Sequence, residues 1–311
     1  MAITISVGSG KGGTGKSMVL SNLALQLARS GRKVCLVDLD LGGPDAHILY
    51  GLFKPKRTLT DFLNRRVDSI TDTIHTFPAF GGLQIIPGTG DTLQTANMTY
   101  QQKQRLLRSL SRIDTDVLLV DVGAGTSYHT LDFFMFTDIQ ICVTSPEPTA
   151  ILDFYNFLQL ATIRRALSSF LSQADVAKEI REKKFDSLLE VLDMAEEVQP
   201  GAREKAQLAL ATFNPLLIVN KVGAGTRLNL LKLRKMASQY LGIYLPDLGE
   251  IPYDMKVYEA MRAYLPVSEL DPAAPASKAL IEASIKLGKV IDLFIRKQSE
   301  QQTIQENEKQ L

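Results

Sequence analysis

Cysteine is scarce in this sequence of 311 residues, and the two that occur, Cys35 and Cys142, lie inside apolar runs. No C-x-x-C pair is present, so the cysteine ligands of an iron–sulfur cluster carrier are missing. We therefore expect two buried, inert thiols in a reduced cytosolic protein. The three histidines show no metal-ligand spacing and are interpreted as surface or loop residues: His47, His75 and His129.

Long hydrophobic runs and a large net charge are also absent. No apolar stretch approaches the roughly 18 residues that a transmembrane helix requires, and the first residues show no signal-peptide pattern. The net charge of +1 gives no global attraction to DNA or anionic lipid, although binding through a local basic patch stays an alternative. Hydrophobic residues make up 45% of the chain, which is enough to bury a full core. We therefore expect a cytoplasmic protein, with the inner face of the cell membrane as the open alternative.

A glycine-rich stretch near the amino terminus organises the chain: Gly8-Ser9-Gly10-Lys11-Gly12-Gly13-Thr14-Gly15-Lys16-Ser17. It follows a strand-like run from Ile3 to Val7 and precedes a segment of helical period from Met18 to Arg29. Strand, glycine loop and helix in this order, with the spacing G-x-x-x-x-G-K-S, predict a phosphate-binding P-loop. A glycine-rich turn with a chance lysine is the alternative.

The residue types in this loop fit the binding of a nucleoside triphosphate. Glycines let backbone N–H groups curl around phosphate oxygens, and the helix amino terminus adds a partial positive charge. Lys16 is expected to reach the β- and γ-phosphates of ATP, and the Ser17 hydroxyl is expected to bind Mg²⁺. The loop residues predicted to contact the nucleotide are Gly10, Lys11, Gly12, Gly13, Thr14, Gly15, Lys16, Ser17 and Met18.

Acidic residues close two further apolar runs. The run from Val34 to Val37 shows no alternation, which indicates a parallel strand buried on both faces, and Asp38 and Asp40 follow it. A second run ends at Asp121 and has the form of a Walker B strand, whose acid holds Mg²⁺ through water. Because ligands bind outside the carboxyl ends of parallel strands, all three acids are expected near the nucleotide. Helix capping by the same side chains is the alternative.

A second lysine, Lys11, begins the sequence K-G-G-T-G-K-S, which resembles the deviant Walker A motif of the MinD/ParA ATPases. The resemblance implies that Lys11 crosses a dimer interface and contacts the phosphates bound by the partner subunit, as a cation supplied in trans. It also implies that Asp40 orients the attacking water and that Asp38 supports the Mg²⁺ shell. The catalytic residues predicted in this way are Lys11, Lys16 and Asp40, with a solvated loop lysine as the alternative for Lys11.

Two later positions resemble the base-binding side of the same family. Asn220 ends an apolar run, and in the family an asparagine there contacts the adenine edge, to which an amide offers both a donor and an acceptor. Pro252 lies in Ile251-Pro252-Tyr253-Asp254, which is similar to the segment that flanks the base. Capping of the strand end is the alternative for Asn220. The resemblance covers about residues 1–165 and 214–297, and Asp40-Leu41-Gly42-Gly43 is most similar to the FlhG/FleN branch, which governs flagellar number and placement.

The fold expected from these features is a single α/β P-loop NTPase domain over residues 1–297, with a mostly parallel twisted sheet flanked by helices. Residues 166–213 are helix-forming and charge-rich, so we expect a helical insertion that binds a protein partner or only covers the surface. The final helix, from about Ser277 to Lys297, is expected to pack on the sheet, with membrane binding as the alternative. The basic helix from Tyr100 to Ile113 is interpreted as solvated, with DNA or a partner as the alternative. Residues 298–311 are predicted to form a disordered polar tail.

Together these features predict a Mg-ATP-dependent homodimerisation switch that positions cellular machinery. Hydrolysis is expected to be slow, because the site is complete only in the dimer. One rival is an ATP-dependent small-molecule enzyme of the amidase or dethiobiotin-synthetase kind, although the sequence shows no second acid–base constellation. The other rival is a scaffold that senses the nucleotide without hydrolysing it.

Overall fold

An eight-stranded sheet lies at the centre of the protein, in the order β3-β4-β2-β5-β1-β6-β7-β8. The computed structural model describes residues 2–40, 43, 45–88, 98–170, 187–225 and 229–308. Neighbouring strands of this sheet run parallel except β3 and β4, which are antiparallel. The strands are β1 Ile3–Gly8, β2 Val34–Leu39, β3 His75–Phe77, β4 Leu83–Ile86, β5 Val117–Val122, β6 Ile139–Thr144, β7 Leu216–Val222 and β8 Asp247–Pro252. The predicted mostly parallel sheet is confirmed.

Helices cover both faces of the sheet. They are α1 Lys16–Arg29, α2 Leu59–Leu63, α3 Tyr100–Leu110, α4 Tyr128–Phe136, α5 Pro148–Phe170, α6 Leu188–Val198, α7 Ala202–Ala211, α8 Leu230–Leu241, α9 Met255–Arg262, α10 Val267–Leu270 and α11 Pro275–Glu308. One apolar core joins a sheet face to α1 and α11, and a second joins the opposite face to α3, α4, α5 and α8. Every residue of β1, β2, β5 and β6 is buried, which explains the apolar runs of β2 and β5 that precede their acids.

A third apolar cluster lies outside the sheet, where the end of α5 packs against α6 and α7. Both of these helices fall within residues 166–213, in the predicted insertion. The predicted helix from Val176 to Lys184 lies outside the described residues. The insertion therefore has a small core of its own, attached to the main domain through α5.

Three elements differ from the sequence-based expectation. The short edge strand β3 was missed, and α5 continues to Phe170, beyond the predicted start of the insertion at residue 166. The last helix continues to Glu308, so the predicted tail boundary at residue 298 does not coincide with a helix end. Gln and Glu favour helix without needing burial, and Ile291 is the last buried residue among the side chains described there. Within the described residues, no helix combines the length and the apolar character that crossing a membrane requires.

Candidate active site

A cavity of about 520 Å³ lies at the carboxyl edge of the sheet, between the glycine loop and the ends of β7 and β8. Most of the residues predicted from the sequence line it: Lys11, Gly12, Gly13, Thr14, Gly15, Lys16, Ser17, Met18, Asp40, Asn220 and Pro252. Gly10 packs behind the loop, while Asp38 and Asp121 are fully buried at the ends of β2 and β5. The fold thus brings the predicted loop, acids and base-side residues to one place.

The loop needs glycine where neighbouring elements approach it most closely. Gly15 has a φ of 88°, and a Cβ there would lie 2.2 Å from the Asn220 Nδ2. A Cβ on Gly10 would lie 2.0 Å from the backbone oxygen of Asp153 in α5. Side chains at these positions would push the loop away from β7 and α5, because such separations are far below van der Waals contact. The glycines therefore fix where the loop sits as well as its curvature.

Lys16 lies at the centre of a buried charge cluster. Its Nζ donates a hydrogen bond to Asp121 and lies 3.7 Å from the Asp40 Oδ2. Burial acts to lower the pKa of Lys16, but the charge of Asp121, its hydrogen bond and the charges of Asp40 and Asp38 together outweigh burial, and the pKa is raised. Burial raises the pKa of Asp121, and Lys16 opposes that rise. The lysine therefore stays protonated and is held by carboxylates.

Asp38 holds the loop that follows β2. Its two oxygens accept hydrogen bonds from the backbone N–H groups of Asp40 and Ala46, both at 3.1 Å. Burial raises the pKa of Asp38, and the nearby His47, whose Nδ1 lies 3.9 Å from the carboxylate, opposes that rise. His47 was interpreted as a surface or loop residue; it lies in the loop after β2 but is buried rather than at the surface. The support of a Mg²⁺ shell by Asp38 stays a prediction.

The donors around Ser17 and Asp121 fit a hard cation. The Ser17 hydroxyl acts to lower the pKa of Asp121, and the Asp121 Oδ2 is buried without a hydrogen-bond partner among the described residues. A hydroxyl and a carboxylate of this kind are the ligands Mg²⁺ takes from proteins when phosphates and water supply the others. Ser17 and Asp121 would therefore hold the ion.

Lys11 is held by the same chain. Its Nζ donates a 2.8 Å hydrogen bond to the Thr149 Oγ1, in the first turn of α5. Thr149 was not singled out as a site residue, although its segment, Ser145 to Ala150, resembles a turn of the MinD/ParA family. The second lysine of the motif is therefore held by a hydroxyl, unlike Lys16.

Two consecutive residues at the end of β7 contact the loop. The Asn220 Nδ2 donates to the Thr14 carbonyl at 2.8 Å, and the Lys221 Nζ donates to the Gly13 carbonyl at 2.7 Å. Asn220 was predicted to contact the adenine edge, whereas Lys221 was missed, because its only signal in the sequence is its position next to that asparagine. On the β8 side, Pro252 is followed by Tyr253, Met255 and Tyr258, which give the cavity an apolar wall.

The sheet order, the glycine loop and the acids at the ends of β2 and β5 define a P-loop NTPase. A family model described as "ParA: NUBPL iron-transfer P-loop NTPase" matches residues 1–165. The antiactivator FleN of Pseudomonas aeruginosa is 31% identical over 277 residues, which cover 88% of this chain and 82% of that protein. The chain therefore belongs to the ParA family of P-loop NTPases.

The chain is also similar to a second flagellar protein in sequence and to a MinD protein in structure. The flagellum site-determining protein YlxH of Helicobacter pylori is 31% identical over 164 residues, which cover 50% of this chain and 52% of that protein. The septum site-determining protein MinD of Pyrococcus horikoshii, solved in complex with Mg-ADP, superposes with a TM-score of 0.65. It is 23% identical, and the match covers 93% of this chain and 97% of that chain. The structural likeness confirms the fold, whereas the family model and the similarity to FleN confirm the predicted resemblance to MinD/ParA ATPases.

Proposed function

We propose that this protein is a MinD/ParA-like ATPase that dimerises when it binds Mg-ATP and so positions cellular machinery, with flagellar number or placement as the favoured role. The contact of Lys11 with Thr149 carries the proposal. The lysine lines the cavity yet is held by a neutral hydroxyl, from which it can be released at low cost. The similarity to FleN and to a flagellum site-determining protein supports the cellular role.

In this proposal, the residues that stabilise phosphoryl transfer at each site come from both subunits of the dimer. Lys16 leaves Asp121 for the bound phosphates, and Lys11 supplies a second cation to the site of the partner. Asp40 is a quarter exposed at the cavity, so it can orient a water molecule for attack. Ser17 and Asp121 would hold Mg²⁺, which would supply further positive charge against the phosphates. Each subunit alone lacks one cation, so hydrolysis is expected to be slow outside the dimer.

Iron transfer, which the description of the family model mentions, fits this chain poorly. Cys35 and Cys142 are the only cysteines, and both are fully buried, in β2 and β6. Burial raises the pKa of both thiols, whereas a cluster is bound by thiolates. The two thiols therefore give an iron–sulfur cargo no accessible ligands.

The proposal is tested by size-exclusion chromatography of the wild type, Lys11→Ala and Asp40→Ala, each with Mg-ATP and then with Mg-ADP. The wild type should form a dimer with ATP and a monomer with ADP. Asp40→Ala should accumulate the ATP dimer because release requires hydrolysis, and Lys11→Ala should remain monomeric. Lys33→Ala serves as the control, since that lysine pairs with Asp114 on the surface. It should behave as the wild type does.

Two outcomes separate the rival functions. A sensing scaffold predicts that Asp40→Ala elutes like the wild type, because no hydrolysis is lost. A small-molecule enzyme predicts an oligomeric state that is the same with either nucleotide. The same samples run with anionic liposomes test the membrane surface as a partner. Deletion of residues 187–212, which contain α6 and α7, tests whether the insertion is needed for dimerisation, which should survive the deletion.

A further inference from the structure

β7 departs from regular strand geometry where it reaches the glycine loop. Its pairing with β8 passes from Val219 opposite Glu250 to Val222 opposite Pro252, so β7 carries one more residue than β8 across this step. This extra residue is a β-bulge, a feature enriched beside active sites. The bulge lies at Asn220 and Lys221.

Lys221 has a φ of 60°, which costs free energy for a residue other than glycine. Two other non-glycine residues in the described part of the chain share a positive φ, Arg65 and Tyr264. Each follows the end of a helix, α2 or α9, where such a backbone is a common way to terminate the helix. Lys221 has no such explanation, because it lies inside a strand. Its strain therefore suggests a function.

The bulge changes the direction of the two side chains. Successive residues of a regular strand point to opposite faces of the sheet. Here both Asn220 and Lys221 donate to the glycine loop, to the carbonyls of Thr14 and Gly13 respectively. Two adjacent peptide carbonyls of the loop are therefore held by two adjacent residues of one strand.

Holding a carbonyl also orients the N–H group of the same peptide. In a planar trans peptide the C=O and N–H bonds point in opposite directions. The Gly13 carbonyl shares its peptide with the Thr14 N–H, and the Thr14 carbonyl shares its peptide with the Gly15 N–H. Fixing both carbonyls on β7 turns both N–H groups away from β7. N–H groups of such a loop are the donors that a P-loop offers to phosphate.

We propose that Lys221 is a positioning residue of the nucleotide site: acting with Asn220, it holds the carbonyls of Gly13 and Thr14 so that the N–H groups of Thr14 and Gly15 face the phosphates. This inference rests on the proposed binding of Mg-nucleotide by the loop. It adds a third lysine to the site, one that acts on the loop backbone.

Calorimetric titration with Mg-ADP tests the inference, because ADP avoids the contribution of dimerisation. Four variants are compared with the wild type: Lys221→Met, Lys221→Gly, Lys221→Arg and the control Lys235→Met, which alters an exposed lysine on α8. Loss of the Nζ donor in the methionine and glycine variants should weaken ADP binding about tenfold. The arginine variant keeps a donor and should bind within about threefold of the wild type. The control should bind as the wild type does.

The glycine variant separates positioning from a merely structural role. Glycine adopts a positive φ without strain, so the nucleotide-free melting temperature of Lys221→Gly should equal or exceed that of the wild type while its ADP affinity falls. A structural role alone would lower both quantities. The inference is overturned if both variants that lack the donor bind ADP as tightly as the wild type, or if Lys235→Met weakens binding as much. If the wild type itself binds no ADP, the proposed function fails and the inference fails with it.

Discussion

Replacing Lys16 by methionine should destabilise the fold in addition to removing a phosphate-binding cation. The Lys16 side chain is 6% exposed, Asp121 is fully buried, and Asp40 is 25% exposed. Without the lysine, these carboxylates and the buried Asp38 lose the cation that faces them. Removing one partner of a buried pair costs about 3–5 kcal/mol. Because Asp40 is partly solvated and Asp121 can take up a proton, we expect about 3 kcal/mol at about pH 8.

The loss of unfolding free energy should depend on whether the lysine or a carboxylate is removed. Asp121→Asn leaves Lys16 with Asp40 and Asp38, so we expect a cost below about 1 kcal/mol. The double variant Lys16→Met/Asp121→Asn should recover about half of the loss caused by Lys16→Met, since one uncompensated carboxylate is gone. Removing the one cation should therefore cost more unfolding free energy than removing any one of the three carboxylates that it faces.

The pH dependence has a defined sign. Burial raises the folded-state pKa of Asp38 and Asp121 above the unfolded value. A carboxyl group of this kind favours folding below its unfolded pKa, and that contribution is lost as the pH rises through the folded pKa. Lys16 lowers both values, so Lys16→Met raises them further. Its deficit in unfolding free energy should therefore be larger at about pH 8 than at about pH 5.

Urea denaturation in metal-free buffer, followed by circular dichroism at both pH values, measures these differences. Lys33→Met is the matched control, because Lys33 pairs with the exposed Asp114 and should cost less than about 0.5 kcal/mol at either pH. If Lys16→Met matched the wild type at both pH values, Lys16 would not be the group that neutralises the buried acids.

Three further predictions follow from single contacts. Gly15→Ala should weaken Mg-ADP binding at least about tenfold in calorimetry, because the new Cβ would collide with the Asn220 Nδ2 and the backbone φ there is 88°. Unchanged affinity would show that the loop can move away. Thr149→Val removes the acceptor for Lys11 and should raise the association constant of the ATP-dependent dimer about fivefold in ultracentrifugation, since a hydrogen bond of roughly 1 kcal/mol no longer holds the lysine. A weaker dimer would contradict this. Leu192→Ala, in the core of the insertion, should lower the free energy of unfolding by about 2–3 kcal/mol while leaving ADP affinity unchanged, and a parallel loss of affinity would tie the insertion to the site.

Much of the candidate site could be predicted because its chemistry is local in sequence. The glycine loop lies between a strand and a helix that are contiguous with it, so spacing alone indicates a P-loop. Asp38 and Asp121 were placed beside it by a rule about parallel strands, and β2 and β5 are indeed neighbours with these two residues in register. The arrangement of Lys16, Asp40 and Asp121 follows from that order of strands.

The contacts made by Thr149, His47 and Lys221 could not be predicted in this way. Thr149 and Lys11 are 138 positions apart in the chain, and no periodic pattern in the sequence predicts that they are in contact. Lys221 contacts the loop because of a bulge, which depends on how β7 and β8 pair. The helical course of α11 beyond Lys297 was missed because polar composition was taken to indicate disorder, whereas Gln and Glu are good helix formers.

The three lysines around the loop differ in what a phosphate must displace. Lys16 is held by carboxylates, so an incoming triphosphate must compete with Asp121 for it. Lys11 is held by a hydroxyl, and a hydrogen bond to a neutral acceptor is weaker than one to a charged group. Lys221 holds a loop carbonyl and has no need to move when a nucleotide binds. A bound triphosphate should therefore release Lys11 more readily than Lys16, which suits the proposed role of Lys11 as a cation supplied to the partner subunit.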